Sequence, residues 1–295
     1  MDEKFGYLPC FKLEHKLEKE LKNFTKLGSL YLSNTNPDDV HWSQNVWCEI
    51  KIQKIKSISD GVKFLKGLQK RWSLYPFKSI RRSILIQEQL AKNFKPIIFF
   101  TKLPSDDLGS WTLLDDNTIL YSQKCSSLFP NGEASFVEDK KLPSRAYLKL
   151  WEIFTILGKT PGKNERCLEI GSSPGSWSYV LANLKVDLTS VDRASLDESL
   201  NIFSNINFLK QDAFSILPGN FGKVDWIFSD LVCYPEKLYS WIEMWLDYSD
   251  NFICTIKFQK DDHDHIIQKF KDISGSKILH LFNNKHELTW IRIKN

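Results

Sequence analysis

Long apolar runs are missing from this 295-residue sequence, and none approaches the ~20 residues a membrane-spanning helix requires. The start, MDEKFGYLPC, lacks the apolar core of a secretion signal. Six cysteines lie scattered at positions 10, 48, 125, 167, 233 and 254 with no C-x-x-C pair. That spacing reads as a reduced, cytoplasmic chain without a metal site. Internal repeats and low-complexity linkers are absent as well. What remains is aromatic-rich, with ten Trp and 13% aromatic residues, which favours globular packing over disorder. The length suggests about two domains.

The formal charge of +4 is unevenly placed. Residues 1–140 hold 21 Lys and Arg against 17 Asp and Glu, whereas residues 141–295 hold 19 of each. Within the first part, Lys51 to Lys102 carries 13 basic residues and two acids, Asp60 and Glu88. Phe64, Trp72, Tyr75, Phe77 and Phe94 are interleaved with them. Such a stretch suits the phosphates of a nucleic acid. The competing interpretation is a solvated basic helix face with its aromatics in a core.

The first part reads as a small α+β domain over residues 1–140. Helices are expected at 11–24, 59–71 (capped by Ser59 or Asp60) and 78–93, and a strand at 46–56. Trp111–Leu114 and Thr118–Ser122 flank Asp115-Asp116-Asn117, a hairpin pattern. Glycine and histidine are sparse there and no catalytic constellation stands out, so recognition is the expected task.

Residues 141–295 read differently. Arg166–Arg193 runs from an apolar strand through Gly171-Ser172-Ser173-Pro174-Gly175 into a helix near Ser176, then a second strand ending at Asp192. This is the opening half of a nucleotide-binding α/β fold. Glycines let backbone N–H groups approach a ligand, and the helix start favours negative charge. Asp192 is placed to accept ribose hydroxyls. The middle glycine of G-x-G-x-x-G is absent, which disfavours NAD and FAD. Glu169, just before the turn, suits the cationic tail of S-adenosylmethionine. A tight turn that binds nothing is the alternative.

A helix is expected from Pro143 with Ser144 as N-cap. Further strands are expected at 205–214, 224–230, Asn251–Lys257, Lys277–Phe282 and Leu288–Ile293, with helices near Pro235–Asp247 and 260–273. The short turn at 283–287 forces an antiparallel last pair. Fold class is therefore α/β: a Rossmann-like methyltransferase sheet, mostly parallel with one antiparallel strand, preceded by the α+β domain. Strand tips supply Asp192, Asp212, Asp230 and Lys257, with Glu287 opening the last strand, and such tips are where ligands bind.

These residues carry a resemblance. Residues 142–295 resemble the FtsJ/RrmJ family of ribose 2′-O-methyltransferases acting on ribosomal RNA. Ser144-Arg145-Ala146-Tyr147-Leu148-Lys149-Leu150 matches the helix giving the first Lys of the family's Lys-Asp-Lys-Glu tetrad. Ser229-Asp230-Leu231, Thr255-Ile256-Lys257 and Lys285-His286-Glu287-Leu288 match the other three. The turn is similar to D-x-G-x-x-P-G-G-W, with Glu169 and Ser176 as departures. The resemblance implies S-adenosylmethionine as cofactor, held by Glu169, Gly171, Ser172, Ser173, Pro174, Gly175, Ser176, Trp177, Asp192, Asp212 and Asp230. It implies Lys149, Asp230, Lys257 and Glu287 as catalytic residues, and an RNA partner with neither DNA nor membrane. Within the family the sequence is most similar to the RlmM type, which methylates a cytidine ribose of large-subunit 23S ribosomal RNA. The L-P-S-R run into the Lys helix and the closing Glu-Leu-Thr carry that likeness. That type has an N-terminal RNA-binding region with a THUMP domain; the corresponding part here is shorter. Transfer RNA, a messenger cap, or RNA binding without catalysis are the alternatives. Lys257 is the expected base or orienter of the 2′-hydroxyl. Burial and Lys149 would favour loss of its proton, and Asp230 and Glu287 would oppose it.

Overall fold

The computed structural model describes residues 2–90, 94–99, 101–104, 106–259 and 264–294. It divides into two compact units, Met1–Val137 and Glu138–Asn295. Among the described residues no helix is long and apolar enough to cross a membrane, and no group of His, Cys, Asp or Glu is arranged to hold a metal.

The first unit runs β1 (Phe5–Pro9), α1 (Glu14–Glu20), β2 (Phe24–Leu27), β3 (Leu30–Ser33), β4 (Ser43–Cys48), β5 (Lys51–Lys54), α2 (Ile58–Leu68), β6 (Trp72–Leu74), α3 (Ile80–Leu90), β7 (Gly109–Asp115), β8 (Thr118–Ser122) and β9 (Lys124–Cys125). One antiparallel sheet has the order β2-β3-β1-β4-β9, and a second, mixed sheet has the order β5-β8-β7-β6 with β6 parallel to β7. The β7–β8 hairpin falls where expected: Asp115 accepts the Asn117 N–H (2.8 Å) and the Thr118 hydroxyl (2.8 Å), closing the turn.

Other expectations need correction. The apolar alternation over 46–56 is not one strand. Glu49 takes a left-handed φ of 54°, and β4 and β5 on either side of it join different sheets. The helix expected at 11–24 is only α1, because Lys12 is left-handed and Leu21 extended, although Leu17 and Leu21 are buried as their spacing requires. Helix α2 begins one residue earlier than expected. Ser57 caps it by accepting the Asp60 N–H (3.1 Å), while Asp60 accepts the Lys56 N–H (2.8 Å). The last positions of the helix expected at 78–93, and the first of that at 260–273, lie outside the described residues.

Helices α2 and α3 cover the second sheet, and Leu65, Ile86, Trp72, Trp111 and Ile119 form its core. The indole N–H of Trp72 donates to the Leu65 carbonyl (2.9 Å), satisfying a donor that burial would otherwise strand. Phe64 packs on the same core and Tyr75 on the core of the other sheet, both partly buried, whereas Phe94 is exposed. In the same basic stretch Lys51, Lys54, Lys56, Lys63, Lys66, Lys70 and Lys78 are exposed.

The second unit contains α4 (Tyr147–Leu157), β10 (Arg166–Ile170), α5 (Ser176–Asn183), β11 (Asp187–Asp192), β12 (Ile206–Lys210), α6 (Pro218–Phe221), β13 (Trp226–Ser229), α7 (Pro235–Trp245), β14 (Asn251–Lys257), α8 (Asp264–Asp272), β15 (Ser276–Leu279) and β16 (Glu287–Arg292). The sheet order is β12-β11-β10-β13-β14-β16-β15. Strands β10 to β14 pair in parallel, and β16 runs antiparallel to both neighbours. This is the expected Rossmann-like methyltransferase sheet. Order reverses between β10 and β13, so the crevice at their C-terminal ends is the natural ligand position. Helix α4 starts at Tyr147 rather than beside Ser144, whose hydroxyl bonds the Ala146 N–H (3.3 Å) ahead of the helix.

Leu65 is fully buried between α2, α3 and the second sheet. Leu65→Ala is therefore expected to cost about 2–5 kcal/mol, read as a lower urea midpoint for unfolding of the first unit.

Candidate active site

Four ionisable side chains from α4, the end of β13, the end of β14 and the start of β16 meet in the second unit. The ammonium of Lys149 donates to both carboxylate oxygens of Asp230 (2.7 and 2.9 Å) and to Glu287 (3.0 Å). Lys257 lies 3.1 Å from the Asp230 carboxylate and donates to the Asp230 carbonyl at 2.6 Å. Glu287 stands directly opposite Lys257 in the β14–β16 register. All four side chains are at least four-fifths buried. Burial acts against the Lys149 ammonium, but the carboxylates of Asp230 and Glu287 outweigh it and hold its pKa above the ordinary lysine value. The Trp177 ring centroid lies 6.0 Å from the same ammonium.

Beside this cluster is a cleft of about 310 Å³. Asp192, Asp212 and Phe214 line it, together with Leu231, Val232 and Tyr234 from the segment after Asp230. Asp192 is oriented by two backbone donors, Ser173 N–H (3.0 Å) and Ala194 N–H (2.9 Å), which leaves lone pairs for a ligand. Asp212 accepts the Phe214 N–H (2.9 Å) and pairs with Arg193; these two donors hold its carboxyl below the usual range. Lys237 sits over the Phe214 ring, 3.9 Å from its centroid. Arg193, Phe214 and Lys237 were not apparent from the sequence, where none stands in a recognisable motif.

The turn splits into parts with different tasks. Gly171 has φ +73°, and a Cβ there would come within 2.6 Å of the Leu231 backbone, so glycine is required for the turn to lie against the Asp230 segment. Gly175 opens α5 at φ +113°, one residue after the Ser173–Pro174 peptide. The Ser172 hydroxyl is buried and has no hydrogen-bond partner among the described residues. A buried hydroxyl left without a partner in this turn is one that a bound polar ligand would satisfy.

Three residues expected to face the cofactor are used elsewhere. Glu169 is fully buried, where Ser178 (2.5 Å) and Ser190 (3.0 Å) donate to it, and it does not line the cleft. Burial pushes its pKa up to about 8, only partly offset by the two hydroxyls. The Ser176 hydroxyl accepts the Ser144 N–H (2.8 Å) and donates to the Ser144 carbonyl (3.0 Å). The Trp177 indole donates to the Ala146 carbonyl (2.9 Å). Ser176 and Trp177 thus fasten the approach to α4, and with it Lys149, onto the helix that follows the turn.

Comparison with known proteins bears on this geometry. Residues 142–281 match the model of FtsJ-like methyltransferases. The match takes in most of the second unit and a little under half of the whole chain. The chain is 25% identical over 184 residues to the Ribosomal RNA large subunit methyltransferase M of Hahella chejuensis, covering 56% of this chain and 46% of the relative. It is 33% identical over 111 residues to the protein of that name from Alkalilimnicola ehrlichii, covering 35% and 30% respectively. The chain thus spans less than half the length of these curated relatives. Among solved structures, the Methanococcus jannaschii fibrillarin pre-rRNA processing protein aligns with 46% of this chain and 69% of its own, at 19% identity and a TM-score of 0.36.

The position of Glu169 carries a pH signature. Its folded pKa lies above that of an unfolded Glu, so the folded state holds the proton more tightly. Stability from this group is present below about pH 4.5 and is lost as pH rises toward about 8. Glu169→Gln removes the titration, so its melting temperature relative to the parent should rise steadily from pH 5 to pH 8. A constant difference across that range would place the ionised form in the core.

Proposed function

We propose that this protein is an S-adenosylmethionine-dependent RNA ribose 2′-O-methyltransferase acting on large-subunit ribosomal RNA, with a cytidine as acceptor. The observation that carries the reading is the Lys149–Asp230–Lys257–Glu287 cluster beside a cleft, within the stretch that matches FtsJ-like methyltransferases. Support for a ribosomal acceptor comes from the names of the curated relatives, and the cytidine rests on likeness to the RlmM type.

The cofactor fits the residues present. Asp192 would take the ribose hydroxyls, Asp212 and the Leu231–Tyr234 wall the base, and the Gly171–Gly175 turn with the Ser172 hydroxyl the amino-acid end. When bound, S-adenosylmethionine supplies a methyl group already activated on a sulfonium. The protein must then align the 2′-oxygen in line with that methyl and let the hydroxyl proton leave. Lys257 meets the 2′-hydroxyl, steering the oxygen or taking its proton. Asp230 fixes Lys257 through its carbonyl and its carboxylate. Lys149 remains an ammonium between Asp230 and Glu287, and supplies positive potential beside the oxygen as charge develops on it.

In the first unit, the exposed lysines flanking and lining α2 suit an RNA backbone. Lys63 and Lys66 stand on the outer face of α2, with Lys56 before it and Lys70 after. With Trp72 in the core and Phe64 packed against it, what α2 offers outward is its lysines, and the contact is electrostatic and independent of sequence, as phosphate contacts are.

Labelled S-adenosylmethionine and ribosomal RNA lacking its modifications test the reaction, with nucleoside mass spectrometry identifying the product. 2′-O-methylcytidine is expected, and absence of transfer to any RNA overturns the reading. Lys257→Ala should lower the rate by ~10²-fold or more while cofactor affinity is kept; near-full activity would remove Lys257 from its role. Replacing Lys63, Lys66 and Lys70 together by Gln should weaken RNA binding and flatten the log–log salt dependence by roughly two. An unchanged slope would exclude these lysines from the interface.

A further inference from the structure

Glu152 has no part in the reading above, yet it is among the most deeply buried acids of the chain, at 3% exposure. It lies three residues beyond Lys149 on α4, so the two side chains leave the same face of that helix. Its carboxylate accepts three hydrogen bonds: from the Phe282 N–H (2.8 Å), the Asn283 N–H (3.3 Å) and the Asn283 side-chain amide (3.0 Å). All three donors belong to the segment between β15 and β16, and that segment delivers Glu287 to the site. A buried acid without such donors would be strongly disfavoured.

The segment has a second anchor on its far side. The Asn284 amide donates to the Thr289 hydroxyl (3.1 Å), tying the turn to β16, while the Asn284 N–H closes on the Leu281 carbonyl (3.0 Å). Between the two anchors the chain has little freedom. Glu287 follows Asn284 by three residues and must reach both its β14 partner Lys257 and the Lys149 ammonium. Helix α4 therefore carries the ammonium at one turn and the anchor for its carboxylate partner at the next.

We infer that Glu152 is a positioning residue, which fixes the 281–286 turn to α4 and so sets the distance between Glu287 and Lys149. It does not line the cleft, its hydrogen bonds go to Phe282 and Asn283 of the turn, and it acts through Glu287. The inference rests on the reading of that cluster as the methyl-transfer site. Glu152→Gln is the informative substitution. It keeps the volume and one acceptor, but it sets an amide N–H₂ against donors from Asn283.

Two readouts separate positioning from a general loss of folding. The turnover number with saturating RNA and cofactor is expected to fall ~10- to 100-fold in Glu152→Gln, with cofactor affinity within about twofold of the parent. The double variant Glu152→Gln/Asn283→Asp, which exchanges donor and acceptor across the contact, should recover part of that loss. Carbon-13-labelled lysine reports the Lys149 titration independently of activity. Its pKa should fall in Glu152→Gln as Glu287 withdraws. Asn283→Ala, a milder change, should move both readouts in the same direction and serves where Glu152→Gln folds poorly. An unshifted Lys149 titration in well-folded Glu152→Gln and Asn283→Ala overturns the inference. So does a turnover loss that merely follows cofactor affinity. A parent protein without transferase activity would sink the function instead, and the lysine titration would still decide the role of Glu152.

Discussion

Taking the Lys149 ammonium out of water is tolerable because Asp230 and Glu287 are there to meet it. The partners come from strand ends 81 and 138 residues away, so the pairing demands that α4, β13 and β16 all arrive at one point. Much of the second unit can be understood as meeting that demand. Gly171 lets the turn close on the backbone next to Asp230; Ser176 and Trp177 hold the approach to α4; the β14–β16 register sets Lys257 across from Glu287. Two lysines and two carboxylates balance in charge, which spares the site an uncompensated buried ion.

The turn after β10 joins two functions that its sequence does not separate. At its start the Ser172 hydroxyl is buried without a partner, and the Ser173 N–H donates to Asp192, the end of β11 and a residue that lines the cleft. Its far end, through Ser176 and Trp177, grips the residues leading to Lys149. A change in the turn would therefore be felt at both ends. Glu169 belongs to neither. It sits behind the sheet in a small polar pocket made by Ser178 and Ser190, and its carboxyl keeps its proton into the neutral range.

In the first unit the two strands of different sheets at Ser43–Cys48 and Lys51–Lys54 looked like one because side-chain alternation carries through the break. Only the left-handed backbone at Glu49 separates them, and a glutamate gives no composition cue for that conformation. The β7–β8 hairpin was legible because Asp115 and Asn117 encode the turn locally. Aromatic residues among the lysines fit either a nucleic-acid surface or a core, and the core claims Trp72 from β6 and Phe64 from α2, because a helix that packs on a sheet needs an apolar face.

The sequence by itself determined what local chemistry and periodicity can encode. Asn251–Lys257 is bounded as a strand by polar residues on either side of an apolar run interrupted by Thr255 alone, and its limits agree at both ends. The β-α-β order, the antiparallel final pair and Asp230, Lys257 and Glu287 were legible for the same reason: each occupies a strand end, where patterns change; Lys149 was legible only through the family resemblance. Tertiary structure alone decided that the polar atoms of Glu169, Ser176 and Trp177 are taken up within the protein. It alone made Glu152 an anchor for the 282–283 backbone. Side-chain direction depends on what packs against each face, and those partners lie far away in the chain, beyond the reach of any local pattern.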